Sequence, residues 1–257
     1  SPNILGGEYV RKFEAEWSKI TKADYCISVN SATSGLTTAL LALGLDPGSE
    51  VVTTPFSFSA TCASIVAANC VPIFCDIDTK NFGFDMDHLK KLAIEHDDIK
   101  VVFVTHLFGI PAPIEKFKEF FPKAIFLEDC CESHGAEING KKVGNFSLGS
   151  TFSSYFGHHM TTVEGGFVST NDNDLYELMR AKRSHGMARE CSPDIFEKYI
   201  QQYPDIDKRF MFITDGYNFR NTEFGAVIGL SQLCRLDSMI EKRIEICHWF
   251  ENFLNQY

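Results

Sequence analysis

Apolar residues recur along this chain in two alternating rhythms. Val10, Phe13, Trp17 and Ile20 are spaced three or four apart, the interval that lines one face of an α-helix, so residues 8–19 read as an amphipathic helix. A short apolar run at 25–29 predicts a strand, followed by a turn and a helix over 33–43. Asp46-Pro47-Gly48 then punctuates before a strand at 50–54. Residues 59–68 and 85–95 read as helices, and 71–76, 100–105, 124–128, 151–155 and 166–170 as strands. Most of these strand runs lack polar alternation, which predicts a sheet covered on both faces. The alternation of element types predicts an α/β layer fold with a mostly parallel central sheet flanked by helices. Residues 195–211 show no clear period and are expected to form a loop or insertion, whereas 222–257 read as two consecutive helices.

Composition narrows the function classes without choosing the chemistry. A chain of 257 residues, 44% hydrophobic and 23% charged, can bury the core of one large domain or somewhat more. Its net charge of -10 argues against nucleic acid as a partner, because phosphate backbones need clustered Lys and Arg. No apolar run is long enough to span a membrane and no basic-then-apolar leader opens the chain, so no membrane partner is expected. Nine cysteines at irregular spacing do not suggest a disulfide framework, and a reducing cytoplasm is the expected setting.

Several short segments carry candidate chemistry. The turn Asn30-Ser31-Ala32-Thr33-Ser34-Gly35 follows a strand and opens a helix, where backbone amides and the helix dipole favour an anion; an ordinary capped helix start is the plain alternative. Phe58, in Pro55-Phe56-Ser57-Phe58-Ser59-Ala60-Thr61, offers a flat ring for stacking or for core packing. Asp129 ends an apolar strand, at the edge where open α/β sheets bind ligands, and is followed by Glu132, Ser133, Gly135 and Ala136. His158 and His159 are adjacent, so on an extended chain they point apart and do not converge on a metal. Cys130-Cys131 fails the same test, both cysteines reading as small, partly buried residues, and no metal site is expected.

The segment Ser153-Ser154-Tyr155-Phe156-Gly157-His158-His159 running on to Glu164-Gly165-Gly166 resembles the cofactor-lysine segment of the DegT/DnrJ/StrS sugar aminotransferases, which use pyridoxal phosphate. There a serine is followed five positions later by a lysine and then by Glu-Gly-Gly. Here His158 stands at the lysine position, and no lysine lies between Lys142 and Lys182. Histidine cannot bond the cofactor aldehyde as lysine does, but it can move protons near neutral pH. Together with Glu132, where a glutamine is common, this resembles the branch that removes the C3 hydroxyl of GDP-4-keto-6-deoxymannose.

The resemblance implies a fold-type-I (aspartate aminotransferase-like) large domain over residues 1–235 and, at 236–257, the start of a linker helix toward a small C-terminal domain mostly absent from this chain. It implies that Ala32, Thr33 and Ser153 bind the cofactor phosphate, Phe58 stacks on its ring, Asp129 faces the ring nitrogen and Glu132 lies beside the ring. Asn218, in Gly216-Tyr217-Asn218-Phe219-Arg220, would bond the phosphate across a homodimer with shared active sites; His185 and Arg220 would contact substrate, Arg220 suiting the carboxylate of glutamate. The implied activity is a pyridoxamine phosphate/pyridoxal phosphate-dependent 3-dehydratase (a lyase) of a GDP-linked 4-keto-6-deoxy sugar in polysaccharide precursor synthesis, with His158 as base and glutamate restoring the amine. A related branch uses an iron–sulfur cluster held by several cysteines after Arg183-Ser184-His185-Gly186; only Cys191 lies there before Cys234, so no cluster is expected. A nucleotide-sugar aminotransferase and a catalytically silent cofactor-binding relative are the two alternatives. Val163 stands where glycine or methionine is common, and Ala32 where glycine is.

Overall fold

The computed structural model describes residues 6–256; residue 257, at the end of the segment expected to be helical, lies outside the described residues. Helix α1 (Glu8–Thr21) buries Val10, Phe13, Trp17 and Thr21 on one face, as its spacing predicts. Strand β1 (Tyr25–Val29) leads into α2 (Ala32–Ala42), whose first turn is capped by the Ser31 side chain accepting from the Ser34 N–H. Next come β2 (Glu50–Thr53), α3 (Ser59–Ala67), β3 (Val71–Phe74) and α4 (Met86–Glu95), the last capped by Asp85. Strands β4 (Val101–Thr105) and β5 (Ile125–Asp129) flank α5 (Ile114–Phe120). A two-residue hairpin, β6 (Glu137–Ile138) and β7 (Lys141–Lys142), precedes β8 (Gly149–Ser153) and β9 (Gly166–Thr170). Four helices complete the described chain: α6 (Asn173–Arg183), α7 (Pro193–Gln202), α8 (Glu223–Leu233) and α9 (Leu236–Leu254).

Seven strands form one sheet in the order β1-β9-β8-β5-β4-β2-β3. The pairs from β8 through β3 are parallel, and β9 runs antiparallel to both its neighbours. Consecutive residues of the central strands enter opposite cores. Val51, Val101 and Phe103 pack with α2, α3 and α6 on one face, while Val52, Val102 and Val104 pack with α4 and α5 on the other. This two-sided burial is why those strands show no polar alternation. A third cluster seats α1 and α8 on the β8–β9 end, where Trp17 stacks on Phe167 at 4.3 Å. Each large side chain buried in this way contributes about 1.5–3 kcal/mol.

Two expectations change. Residues 195–211 are not wholly irregular, because α7 occupies the first part. Pro193 sits in its first turn, and Ile195, Phe196, Tyr199 and Ile200 form a stripe at helical spacing that is half-buried rather than buried. Strand β8 also ends at Ser153, two residues before the expected end, and the chain turns there into the segment that carries His158.

Glycine sets how closely α2 meets the sheet. A Cβ on Gly35 would lie 2.9 Å from Thr151 Cγ2, and one on Gly166 would lie 2.7 Å from the Ala32 nitrogen and 3.0 Å from the Phe152 carbonyl oxygen. The second clash is with backbone, which cannot rotate away. Gly166→Ala is therefore expected to lower stability by about 1–3 kcal/mol, read as a shift in the urea unfolding midpoint.

Candidate active site

The carboxyl ends of β1, β4, β5 and β8 converge on one edge of the sheet, and because β9 is antiparallel, the residues that precede it arrive at that same edge. A cleft of about 480 Å³ opens there. Ala32, Thr33, Phe58, Asp129, Glu132, Ser153 and His158 all line it, so seven of the ten expected site residues meet around one cavity. No lysine is among the described residues that line it.

The start of α2 forms one wall. Its first two amides, those of Ala32 and Thr33, precede the first i→i−4 bond, made by Gly35 N–H to the Ser31 carbonyl at 3.1 Å. Ser153 closes the same corner; it is buried, and its Oγ accepts from the Tyr155 N–H at 3.2 Å, leaving its hydroxyl hydrogen free to point elsewhere. Phe58 precedes α3 and is 76% exposed, the ring of a wall rather than of a core.

Asp129 is only 5% exposed and firmly held. Its Oδ2 accepts from Thr61 Oγ1 at 2.7 Å and its Oδ1 from the Cys131 N–H at 3.1 Å. The preceding residue, Glu128, points the opposite way into a sealed network. Its carboxylate accepts from His106 Nε2 at 2.9 Å, from the amides of Gly144 and Phe146, and from the Ser147 hydroxyl. Burial pushes this carboxyl up, but the His106 and Ser147 hydrogen bonds outweigh burial and hold it below the usual range. His106, Glu128 and Cys130 sit together tightly enough to suggest a metal centre. However, His106 Nδ1 accepts from the Ala112 N–H at 2.9 Å and Nε2 faces Glu128, so both ring nitrogens are engaged, while burial keeps the Cys130 thiol protonated. The cluster is a hydrogen-bonded brace beneath the site. Cys130 is fully buried rather than partly so, and Cys131 lines the cleft.

His158 lies on a closed loop between β8 and β9. Ser154 N–H donates to the Gly165 carbonyl at 3.0 Å, Thr162 N–H to the Ser154 carbonyl at 2.8 Å, and the two hydroxyls meet at 2.6 Å. Within the loop the chain is not extended around the histidine pair, as the sequence argument assumed. His158 N–H donates to the Tyr155 carbonyl at 3.0 Å in a tight turn, and Val163 adopts a left-handed φ of 72°, a strained conformation for a β-branched residue. That conformation accounts for glycine suiting the position. Burial lowers the basicity of His158; Glu132 and Asp129 pull it back up and Arg243 opposes them. Arg243, from α9, also donates to the His158 carbonyl at 3.0 Å. Glu132 accepts from the Phe108 N–H at 2.8 Å, holding that residue's left-handed turn at the mouth of the cleft.

Asn218, His185 and Arg220 form a separate group outside the cleft lining. Arg220 Nε donates to Asn218 Oδ1 at 3.2 Å, and the Arg220 guanidinium reaches to 3.5 Å from His185 Nε2. The segments cross backbone to backbone because Gly186 and Gly216 leave no side chain between them. This group adjoins the α2 turn through Asn30, whose Nδ2 donates to the Asn218 carbonyl at 3.3 Å. Sequence reasoning missed Thr61, Ser57, Cys131 and Arg243 as neighbours of the site; Ser57, Thr61 and Cys131 lay in segments already singled out, whereas Arg243 did not.

Beneath His158, His159 stacks on His134 at 4.9 Å, and neither nitrogen of the buried His134 has a hydrogen-bond partner within normal distance. Burial depresses both, His159 to about 4, with Arg243 and His158 acting in the same direction on His159. A depressed imidazole binds its proton less readily folded than unfolded, so its contribution is complete above the unfolded value of about 6.5 and is lost as pH falls toward the folded one. The unfolding temperature is therefore expected to decline on acidification from about pH 6.5, and His159→Phe to flatten that decline in a calorimetric pH series.

The sequence profile of the DegT/DnrJ/EryC1/StrS aminotransferase family matches residues 1–257. Among curated relatives, the GDP-4-keto-6-deoxy-D-mannose 3-dehydratase of Yersinia pseudotuberculosis is 35% identical over 246 residues, covering 92% of this chain and 62% of its own. The GDP-perosamine synthase of Escherichia coli O157:H7 is 30% identical over 251 residues, covering 97% of this chain and 64% of its own. A solved structure of the E. coli GDP-4-keto-6-deoxy-D-mannose-3-dehydratase with bound hydrated PLP superposes with a TM-score of 0.87 at 30% identity, covering 96% of this chain and 65% of that one. The chain thus spans just under two thirds of these relatives' length. Its fold is the α/β fold of pyridoxal phosphate enzymes of fold type I, and by profile and by relatives alike the chain belongs to the DegT/DnrJ/EryC1/StrS aminotransferase family.

Proposed function

We propose that the full-length protein is a pyridoxal/pyridoxamine phosphate-dependent 3-dehydratase of a GDP-linked 4-keto-6-deoxy sugar, with His158 as its proton carrier and glutamate as amine donor. The observation that carries this proposal is a cleft presenting His158 where the family's aminotransferases place lysine, with no lysine among its described lining residues. Lys182, the next lysine along the chain, is buried elsewhere and donates to Asp215 Oδ1 at 2.7 Å.

The residues present fit the cofactor. The unpaired amides of Ala32 and Thr33 and the Ser153 hydroxyl suit a phosphate, Phe58 a ring face, and the braced Asp129 carboxylate a protonated pyridine nitrogen. When bound, the cofactor supplies an amine that can link to the 4-keto carbon and a ring that draws electrons from it. Asp129 sustains that electron demand by favouring the protonated ring. His158, kept largely neutral at pH 7 by burial, would take up the proton given up at the cofactor's amine-bearing carbon and deliver one to the C3 hydroxyl, so that the C3–O bond breaks and water leaves. Glu132, within electrostatic reach of His158, favours its protonated form and so assists the uptake of that proton. In a homodimer, Asn218 would reach the partner's phosphate while His185 and Arg220 meet substrate, Arg220 pairing with the carboxylate of glutamate. Residues 236–257 would then begin the linker toward a small C-terminal domain.

With GDP-4-keto-6-deoxymannose, pyridoxamine phosphate and glutamate, the full-length protein is expected to form a nucleotide sugar lacking one oxygen, detected by mass spectrometry. His158→Asn should slow this at least about 100-fold. The wild-type rate should fall on the acid side with a midpoint below the ordinary imidazole value of about 6.5. An amino sugar would identify an aminotransferase instead, and no turnover together with failure of glutamate to convert the bound cofactor would identify a silent relative.

A further inference from the structure

Thr61 lies in the first turn of α3 and is 1% exposed, yet its hydroxyl is committed to the site. Asp129, as a carboxylate, can only accept, so the 2.7 Å contact fixes Thr61 Oγ1 as donor to Asp129 Oδ2. With its only hydrogen spent, Thr61 must be the acceptor in its 3.0 Å contact with Ser57 Oγ. Ser57 immediately precedes Phe58, and its Oγ lies 3.4 Å from Thr105 Oγ1 at the end of β4. One buried hydroxyl therefore joins two walls of the cleft, the strand end that carries Asp129 and the loop that carries Phe58. The direction of both bonds follows from chemistry, and a valine of nearly the same shape would keep the packing while removing both.

We propose that Thr61 is a positioning residue that fixes the Asp129 carboxylate toward the cofactor's ring nitrogen and ties the Phe58 loop to it. This rests on the assignment of Asp129 and Phe58 to the cofactor ring. Thr61 touches neither cofactor nor substrate; it acts through the angle at which the carboxylate is presented and the distance between ring and carboxylate. Cys131 N–H holds the other carboxylate oxygen, so Thr61 removes the remaining rotation about the Asp129 side chain. A hydrogen bond to a charged, buried group is strong enough for its loss to be felt in affinity.

The test compares full-length wild-type, Thr61→Val, Thr61→Ser and Asp129→Asn proteins, titrated with pyridoxamine phosphate without sugar or glutamate. Two quantities are read: the dissociation constant and the induced circular dichroism of the bound cofactor, which reports how firmly the ring is oriented. Thr61→Val should bind about tenfold more weakly and lose most of the induced signal, while Thr61→Ser retains both. The double variant Thr61→Val/Asp129→Asn should be no worse than Asp129→Asn alone. Unchanged affinity and signal in Thr61→Val, or additive losses in the double variant, would overturn the role given to Thr61 while leaving Asp129 in place. An unaffected Asp129→Asn would instead remove the assignment beneath it. Should Thr61→Val lower the unfolding temperature, Thr61→Ser, which keeps the hydroxyl, and Ser57→Ala, which removes only the tie to the Phe58 loop, separate the two bonds. Loss of the induced signal in Thr61→Ser would overturn the role of the hydroxyl, and an unchanged signal in Ser57→Ala would overturn the tie between that loop and Asp129.

Discussion

The site depends on one close backbone approach. The first residue of α2 lies so near Gly166 that a single added carbon would sit 2.7 Å from the Ala32 nitrogen. That contact aims the unpaired amides of α2 over the edge where β5 and β8 end, and it holds the β8–β9 loop, with His158, against the same edge. Helix terminus, the loop that carries His158 and the strand ends are therefore set by sheet geometry rather than by flexible side chains, which keeps a site preorganised.

Strand alternation assigns the two neighbouring carboxylates opposite tasks. Asp129 faces the cleft and keeps a fixed orientation through Thr61 and the Cys131 amide. Glu128 faces away, where four donors satisfy it and lash β5 to the His106 turn and to residues 144–147. A carboxylate so completely hydrogen-bonded is costly to unpair, so the strand end that carries Asp129 is anchored from below. His158 is placed differently: it sits on a turn whose backbone is pinned at both ends, and the Arg243 contact to its carbonyl links that turn to α9.

Much of the fold could be read ahead of the structure because local and global preferences agree. Phe13 and Trp17 mark a helix face that is buried in fact, and the apolar run 25–29 is β1 with the same bounds. Helix α7 escaped because its stripe of Ile195, Phe196, Tyr199 and Ile200 spans barely two turns and is followed at once by the irregular residues 203–211. Seven of the residues that line the cleft were legible through short motifs that each lie within one loop or strand end. Thr61 was not, because its importance arises from a contact 68 residues away in sequence. Nor was the turn at His158, since the left-handed conformation of Val163 is imposed by loop closure and not by local preference.

The central claim, a cofactor held without a covalent link beside a histidine base, is most directly tested by loading the full-length protein with pyridoxal phosphate, reducing with borohydride and measuring its intact mass. The expected result is no stoichiometric adduct, with the cofactor still removable by dialysis. A full equivalent of reduced cofactor attached to one lysine would contradict it, and would return the cleft to aminotransferase chemistry.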